Sequence, residues 1–394
     1  MSLLLILFLF LLSFLVSSSH SIHHSLDDDH FSLPVVKIPV LYVEEEGAPY
    51  FLLKLGFGTP RIRYFHLLMD TGSSFTWVQC KPCQVRCFKQ PSPIFDPSLS
   101  CSYAPIPCHS LECSVLKSAT SFPTLPCSDT CKYNQRYLNN DVASIGDFAR
   151  EMLHLLPNIV VPGFIFGCGQ NNTGSPDVFD GVVGLGRNRL SLVDQSSPIY
   201  GKVFSFCLPS PQKSNGFLTI GNKGGLPELL TDPEFNYTSL VSLESDPDLY
   251  YINLVGISLG DDQTVSIPPF PLAIDTGSTV SLLPTSVYVP LRSAVRKVLS
   301  KYSPFPIEPL DTCYNLSSSV IPPAITLNFE GGIVIRLPQS RILLTISPFT
   351  CLPFIEIGDD DRNDGIIGGI QLQTLQVLID VVNRKVGFAE KNCD

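Results

Sequence analysis

Charge is scarce in this chain. Charged residues fill only 16% of 394 positions, the net charge is -10, and no basic patch stands out. A nucleic-acid partner is therefore not expected, and 44% hydrophobic residues are too many for a disordered chain. Leu3 to Val16 is apolar apart from Ser13, yet it falls short of the roughly 20 residues that span a bilayer. No apolar tail closes the chain, so no lipid anchor and no stable membrane attachment are expected. A His-Glu-x-x-His zinc pair and a phosphate-binding P-loop are both missing, so zinc-protease and nucleotide chemistry lack their usual signatures.

Cysteine and proline, by contrast, are abundant. The 34 Pro and 27 Gly point to short strands joined by many turns. The apolar stretch Leu3–Val16, followed by the small residues Ser17 to Ser19, predicts a signal peptide over residues 1–19, although no Lys or Arg precedes it. Thirteen cysteines follow this leader, eight of them between Cys80 and Cys131, which predicts a stapled, loop-rich segment in an oxidising compartment. The number is odd, so one thiol is expected to stay free or to pair between chains. A zinc cluster at Cys80, Cys83 and Cys87 is the competing reading. Glycosylation acceptors stand at Asn171, Asn236 and Asn315, each two residues before Ser or Thr, and suit a secreted surface.

The decisive signal is a repeat. Leu67-Leu68-Met69-Asp70-Thr71-Gly72-Ser73 is matched by Leu272-Ala273-Ile274-Asp275-Thr276-Gly277-Ser278. Downstream of the first lies Asp180-Gly181-Val182-Val183-Gly184, and downstream of the second lies Asp364-Gly365-Ile366-Ile367-Gly368. An internal duplication with one Asp-Thr-Gly-Ser per half predicts two lobes and a site at their seam. The surrounding pattern is β: apolar strands are expected at Tyr50–Leu55, Phe65–Met69, Phe164–Phe166, Val203–Phe206 and Tyr250–Leu254. Val287, Leu291, Ala294, Val295 and Val298 share a helical face, with Thr285 as the expected N-cap and Pro290 interrupting the start.

Two Asp side chains brought together cannot both ionise cheaply, so they share one proton. The ionised member can take a proton from a trapped water while the protonated member donates to a carbonyl oxygen. That is general acid–base hydrolysis of an amide without a covalent intermediate; aspartic proteases are the standard worked case. Gly72 and Gly277 let the chain turn tightly, and the Thr and Ser hydroxyls can hold each carboxylate. Asp70 and Asp275 are the candidate catalytic pair.

Taken together, these motifs resemble the pepsin-like aspartic proteases, and within them the plant group that includes the nepenthesins. Besides the repeat, the resemblance rests on Gly58-Thr59-Pro60, Trp77, Gln79-Cys80-Lys81-Pro82-Cys83 and Pro93-Ile94-Phe95-Asp96-Pro97-Ser98. It continues through Phe166-Gly167-Cys168-Gly169, Asp311-Thr312-Cys313-Tyr314 and Val386-Gly387-Phe388-Ala389, covering about Tyr50 to Cys393. It implies a mainly β, bilobal fold of two pseudo-symmetric, barrel-like lobes with the active site in the cleft between them. It also implies a cofactor-free monomer that cleaves protein or peptide substrates at acidic pH. The residues then divide into a leader (1–19), a short propeptide or linker (20–48), an N-terminal lobe with a cysteine-rich insert (49–232) and a C-terminal lobe (233–394). The destination is extracellular, the apoplast, with the vacuole as the alternative.

The resemblance also assigns roles. Tyr137, six residues after Cys131, falls at the tyrosine of a flexible flap, and Trp77 would hydrogen-bond its hydroxyl. Ser73 would bond the dyad, and Ser278 occupies the matching position of the second copy. Thr71 and Thr276 would tie the two active-site loops together, and the Gly184 and Gly368 segments would thread beneath them. The implied disulfides are Cys80–Cys83, Cys87–Cys168, Cys108–Cys131, Cys113–Cys127, Cys207–Cys393 and Cys313–Cys351. Cys101, where the family usually has Ser, is left as the free thiol.

Two departures qualify the match. The family's Tyr-Gly-Asp-Gly-Ser flap reads Tyr137-Leu138-Asn139-Asn140-Asp141 here, without its tip glycines and with an extra carboxylate. That altered flap supports an alternative in which the chain is a protease-like binding or inhibitor protein with weak or lost catalysis. The segment before Tyr50 is short, with Lys37 as its single basic residue, which predicts weak self-inhibition. Its His20, His23, His24, His30 and Asp27–Asp29 can be read as a metal-binding tract or, preferably, as a processed linker.

Overall fold

Alternation at the start of the described chain builds its first strand. Val36, Ile38 and Val40 are buried, with Lys37, Pro39 and Leu41 exposed between them, over Val36–Glu45. This computed structural model describes residues 34–394 except 84, 119–124, 127, 138–141, 175–176, 212–214, 222–234, 261–262, 317–319, 321, 359–363, 391–392 and 394. Strand Val36–Glu45 pairs on one side with Gly216–Ile220 and on the other with Ala48–Phe57. This strand lies within the stretch 20–48 expected as a short propeptide or linker. From Val36 onward the segment is sheet interior, and Lys37 lies over the Phe217 ring at 4.1 Å instead of serving the dyad. The leader and the His/Asp tract lie outside the described residues.

A 14-stranded sheet dominates the fold. Its first-half strands include Arg63–Asp70, Gly181–Gly184, Trp77–Gln79, Ile159–Thr173 and Ala143–Leu156. At its other end it takes in Asn236–Ser239, Gln376–Asp380 and Lys385–Ala389 from the chain's second half. An eight-stranded sheet holds Tyr251–Leu259, Phe270–Ile274, Gly365–Ile367, Ser281–Leu283 and Phe354–Glu356, and a four-stranded sheet lies around Leu310–Tyr314. The expected strands fall within these sheets, Val203–Phe206 in the strand Val203–Cys207, except that Tyr250 precedes the strand Tyr251–Leu259. The expected 232/233 boundary falls within residues outside the description.

The helix over Thr285–Val298 buries Val287, Leu291, Ala294 and Val295, as its period requires. Two details differ. Val298 is exposed, and the N-cap is Pro284, so Thr285 is already helical and its hydroxyl donates to Glu356 Oε1 at 2.7 Å.

Candidate active site

The two halves deliver their Asp-Thr-Gly-Ser turns through the same device. Strand Arg63–Asp70 ends at the first Asp, and strand Phe270–Ile274 ends just before the second. Beneath each runs the partner motif in parallel: Asp70 is in register with Gly184, and Ile274 with Ile367. A Cβ at Gly184 would lie 2.2 Å from the Ser74 carbonyl carbon, and one at Gly368 2.4 Å from the Val280 oxygen, so only glycine lets these segments thread so close. The motif aspartates themselves are structural. Asp180 is fully buried, accepting from the backbone N–H of His66 at 2.6 Å and the hydroxyl of Ser92 at 2.7 Å. Burial works against its ionisation, but the bonds from His66 and Ser92 hold it below the ordinary carboxylate range. Asp364 accepts from the Tyr251 hydroxyl at 2.6 Å.

Asp70 and Asp275 come together, both buried, and share a hydrogen bond. Their surroundings are matched. Asp70 Oδ1 accepts from Gly72 N–H at 2.9 Å and Oδ2 from the Ser73 hydroxyl. Asp275 Oδ1 accepts from Gly277 N–H at 2.8 Å, and Oδ2 from the Ser278 hydroxyl at 2.6 Å. A Cβ on Gly72 would lie 2.5 Å from the Asp275 carboxyl carbon, and one on Gly277 2.5 Å from Asp70 Oδ1, so both turns need glycine for the carboxyls to meet. Burial, and then the neighbouring Asp275 charge, push Asp70 well above the ordinary range, which keeps a proton on the pair.

Tyr137 is drawn to this centre. Trp77 Nε1–H donates to its hydroxyl at 3.0 Å, and Tyr137 is also in hydrogen-bonding contact with Ser73. Burial and the Asp70 charge raise its pKa, so it stays a protonated donor. It packs against a cluster in which Phe75 meets Tyr133 and Phe148 edge to face at 4.7 and 5.2 Å. The rest of the flap tip, Leu138 to Asp141, lies outside the described residues, and so does the expectation built on Asp141.

Two hydroxyls were not anticipated. Thr76 and Ser281 each stand six residues after their Asp, and each accepts the N–H of the threading glycine, Gly184 at 3.2 Å and Gly368 at 3.0 Å. Extending the comparison of the two copies by three residues is enough to find them. Conversely, Gly256-Ile257-Ser258-Leu259-Gly260 has the spacing of a hydrolase nucleophile turn, but Ser258 sits within a strand, in register with Thr264 and Thr326.

The cysteine framework needs correction. The structure closes Cys80–Cys168, Cys83–Cys87 and Cys113–Cys131, replacing the expected Cys80–Cys83, Cys87–Cys168, Cys108–Cys131 and Cys113–Cys127. The reason is register: Val78 lies beside Cys168 in parallel strands, and Cys80 N–H donates to Gly169 O at 2.8 Å, leaving the Cys80 and Cys168 Cα atoms 5.2 Å apart. Cys108 is also oxidised, and Cys127 lies outside the description. Cys207–Cys393 and Cys313–Cys351 are formed as expected, and Cys101 is an exposed free thiol. With Cys80, Cys83 and Cys87 in disulfides, no thiolate remains there for the zinc reading. Asn236 and Asn315 are exposed, and Asn171 is half-buried in a strand.

Comparison with known proteins agrees with this geometry. The profile described as xylanase inhibitor N-terminal matches residues 51–222, and its C-terminal counterpart matches residues 249–390. An aspartyl protease family protein of Arabidopsis thaliana is 35% identical over 96% of this chain and 80% of its own. The aspartic proteinase nepenthesin-2 of Nepenthes gracilis is 32% identical over 88% of this chain and 78% of its own. Among solved structures, basic 7S globulin from soybean shares the fold, with a TM-score of 0.72 at 22% identity over 92% of this chain and 96% of its own. With its duplicated strands, its paired aspartates and these relatives, the chain belongs to the plant pepsin-like aspartyl proteases.

Proposed function

We propose that the chain is an acid endopeptidase in which Asp70 and Asp275 activate one water for attack on a peptide carbonyl. The observation that supports this most is the matched, hydrogen-bonded carboxyl pair with one member pushed toward its protonated form. The ionised carboxylate takes the water's proton, and the protonated one donates to the carbonyl oxygen. Ser73 and Ser278 fix the carboxyl orientations, and Tyr137, held by Trp77, closes one side of the site. No helix among the described residues is long and apolar enough to cross a membrane. The leader sequence and the disulfides support secretion, with glycans at the exposed Asn236 and Asn315.

The test is cleavage of a denatured protein at about pH 3 to 5, with and without pepstatin, beside Asp70→Asn. Pepstatin-sensitive cleavage that is absent from the variant supports the reading. A folded, processed and inactive wild type overturns it and favours a binding role, the one that the altered flap and the inhibitor-named profiles point to.

A further inference from the structure

Among the described residues, Arg341 is a buried cation with no carboxylate partner. Its residue is 6% exposed, its Nε has no hydrogen-bond partner, and no ion pair to it forms among the described residues. Among the described residues, the charged neighbour in electrostatic range is Glu390, beyond ion-pair distance, and burial lowers the Arg341 pKa to about 10. Such a group is costly to keep, and packing alone would be served as well by an apolar side chain of the same length.

What Arg341 does hold is Gln371. Arg341 Nη1 donates to the Gln371 carbonyl at 3.2 Å, and Gln371 Nε2 donates back to the Arg341 carbonyl at 3.0 Å. Gln371 Oε1 then accepts from the Ser281 hydroxyl at 2.7 Å, and that hydroxyl accepts the Gly368 N–H at 3.0 Å. The next two N–H groups, of Gly369 and Ile370, donate to the carbonyls of Ser278 and Thr279 at 2.7 and 3.0 Å. Ser278 holds Asp275. Gln371 and Ser281 are buried, so this chain of bonds runs without solvent from Arg341 to the second Asp-Thr-Gly-Ser turn. The duplication supplies the contrast. In the first half Thr76 accepts Gly184 N–H in the same way, but among the described residues no side-chain bond carries on beyond it. On the Asp70 side the described support comes from backbone N–H groups instead, Gly186 N–H donating to Ser73 O at 2.8 Å and Asn188 N–H to Ser74 Oγ at 3.0 Å.

We propose that Arg341 is a positioning residue for the Asp275 turn, acting through Gln371 and Ser281. The proposal rests on the endopeptidase reading for its kinetic consequence, but not for its structural one.

The experiment compares wild type, Arg341→Met, Gln371→Met and the double variant in steady-state peptide cleavage, urea unfolding and amide hydrogen exchange at Gly368 and Gly277. Arg341→Met is expected to lower kcat roughly tenfold or more, with KM within about twofold and unfolding unchanged. Exchange at Gly368 and Gly277 should quicken, because their N–H groups bond Ser281 and Asp275 within the loosened turn. Gln371→Met should do the same, and the double variant should lose no more than either single one. Wild-type kcat and exchange in Arg341→Met, or additive losses in the double variant, would overturn the proposal. Should Arg341→Met not fold, Gln371→Met decides by the same criteria. Should wild type prove inactive, the endopeptidase reading fails, and the hydrogen exchange alone decides this one.

Discussion

Thr71 and Thr276 hold each other's loops. Thr276 Oγ1 accepts the Thr71 N–H at 3.1 Å, and Thr71 Oγ1 accepts the Thr276 N–H at 3.0 Å. Each hydroxyl in turn donates across the seam, Thr71 to Ile274 O at 2.8 Å and Thr276 to Met69 O at 2.6 Å. Both residues are buried, so four bonds replace water at the point where the two carboxyls must meet.

Thr276→Val keeps the shape and removes the hydroxyl, leaving Thr71 N–H and Met69 O without partners. The expected loss is about 1–3 kcal/mol of stability, together with a fall in kcat larger than any change in KM, because the dyad geometry slackens. Urea unfolding alongside steady-state kinetics checks this; an active, equally stable variant would show that the seam is held elsewhere.

Asp70 sets a pH signature. Its folded pKa lies above the unfolded value, so its contribution to stability is fully present below about pH 4. It is lost as pH rises through the folded pKa. Asp70→Asn abolishes that loss. The variant should therefore be more stable than wild type at neutral pH, and the gap should close as the solution is acidified. Catalysis should fall roughly 10²–10⁴-fold in the same variant. Unfolding curves from pH 3 to 7 test the sign, and a gap that widens toward acid would contradict it.

Much of this site was legible before any coordinates. A four-residue string recurring after matched apolar runs identified both aspartates and their serines, and β-branched runs located the strands beneath them. What was missed was missed for physical reasons. Val36–Glu45 alternates cleanly, but Pro39 lacks the N–H that a ladder uses, and the segment's place in the sheet depends on Gly216–Ile220, about 180 residues away. Disulfide partners follow from strand register, which spacing does not encode. Arg341 escaped notice because nothing in a short helix at the sequence level marks a cation as buried.

Tyr137 offers a test confined to one atom. Tyr137→Phe removes the hydroxyl that accepts from Trp77 Nε1 and touches Ser73, while keeping the ring over Phe75 and its neighbours. Losing about 1 kcal/mol of such bonding predicts a several-fold drop in kcat/KM with little change in unfolding. Unaltered kinetics in a folded variant would mean that this contact does not survive when substrate enters.

The disulfide assignment is open to direct chemistry. Under non-reducing conditions, peptide mapping should recover Cys80 linked to Cys168, Cys83 to Cys87 and Cys113 to Cys131, with Cys101 alone taking an alkylating label before reduction. Recovery of Cys80–Cys83 and Cys87–Cys168 instead would require the strand Trp77–Gln79 to leave its pairing with Gly167–Gly169. That strand carries Trp77, so such a result would also break the hydrogen bond that holds Tyr137 over the dyad. The mapping therefore reads the geometry of the candidate site as well as its cross-links, and it needs no substrate to do so.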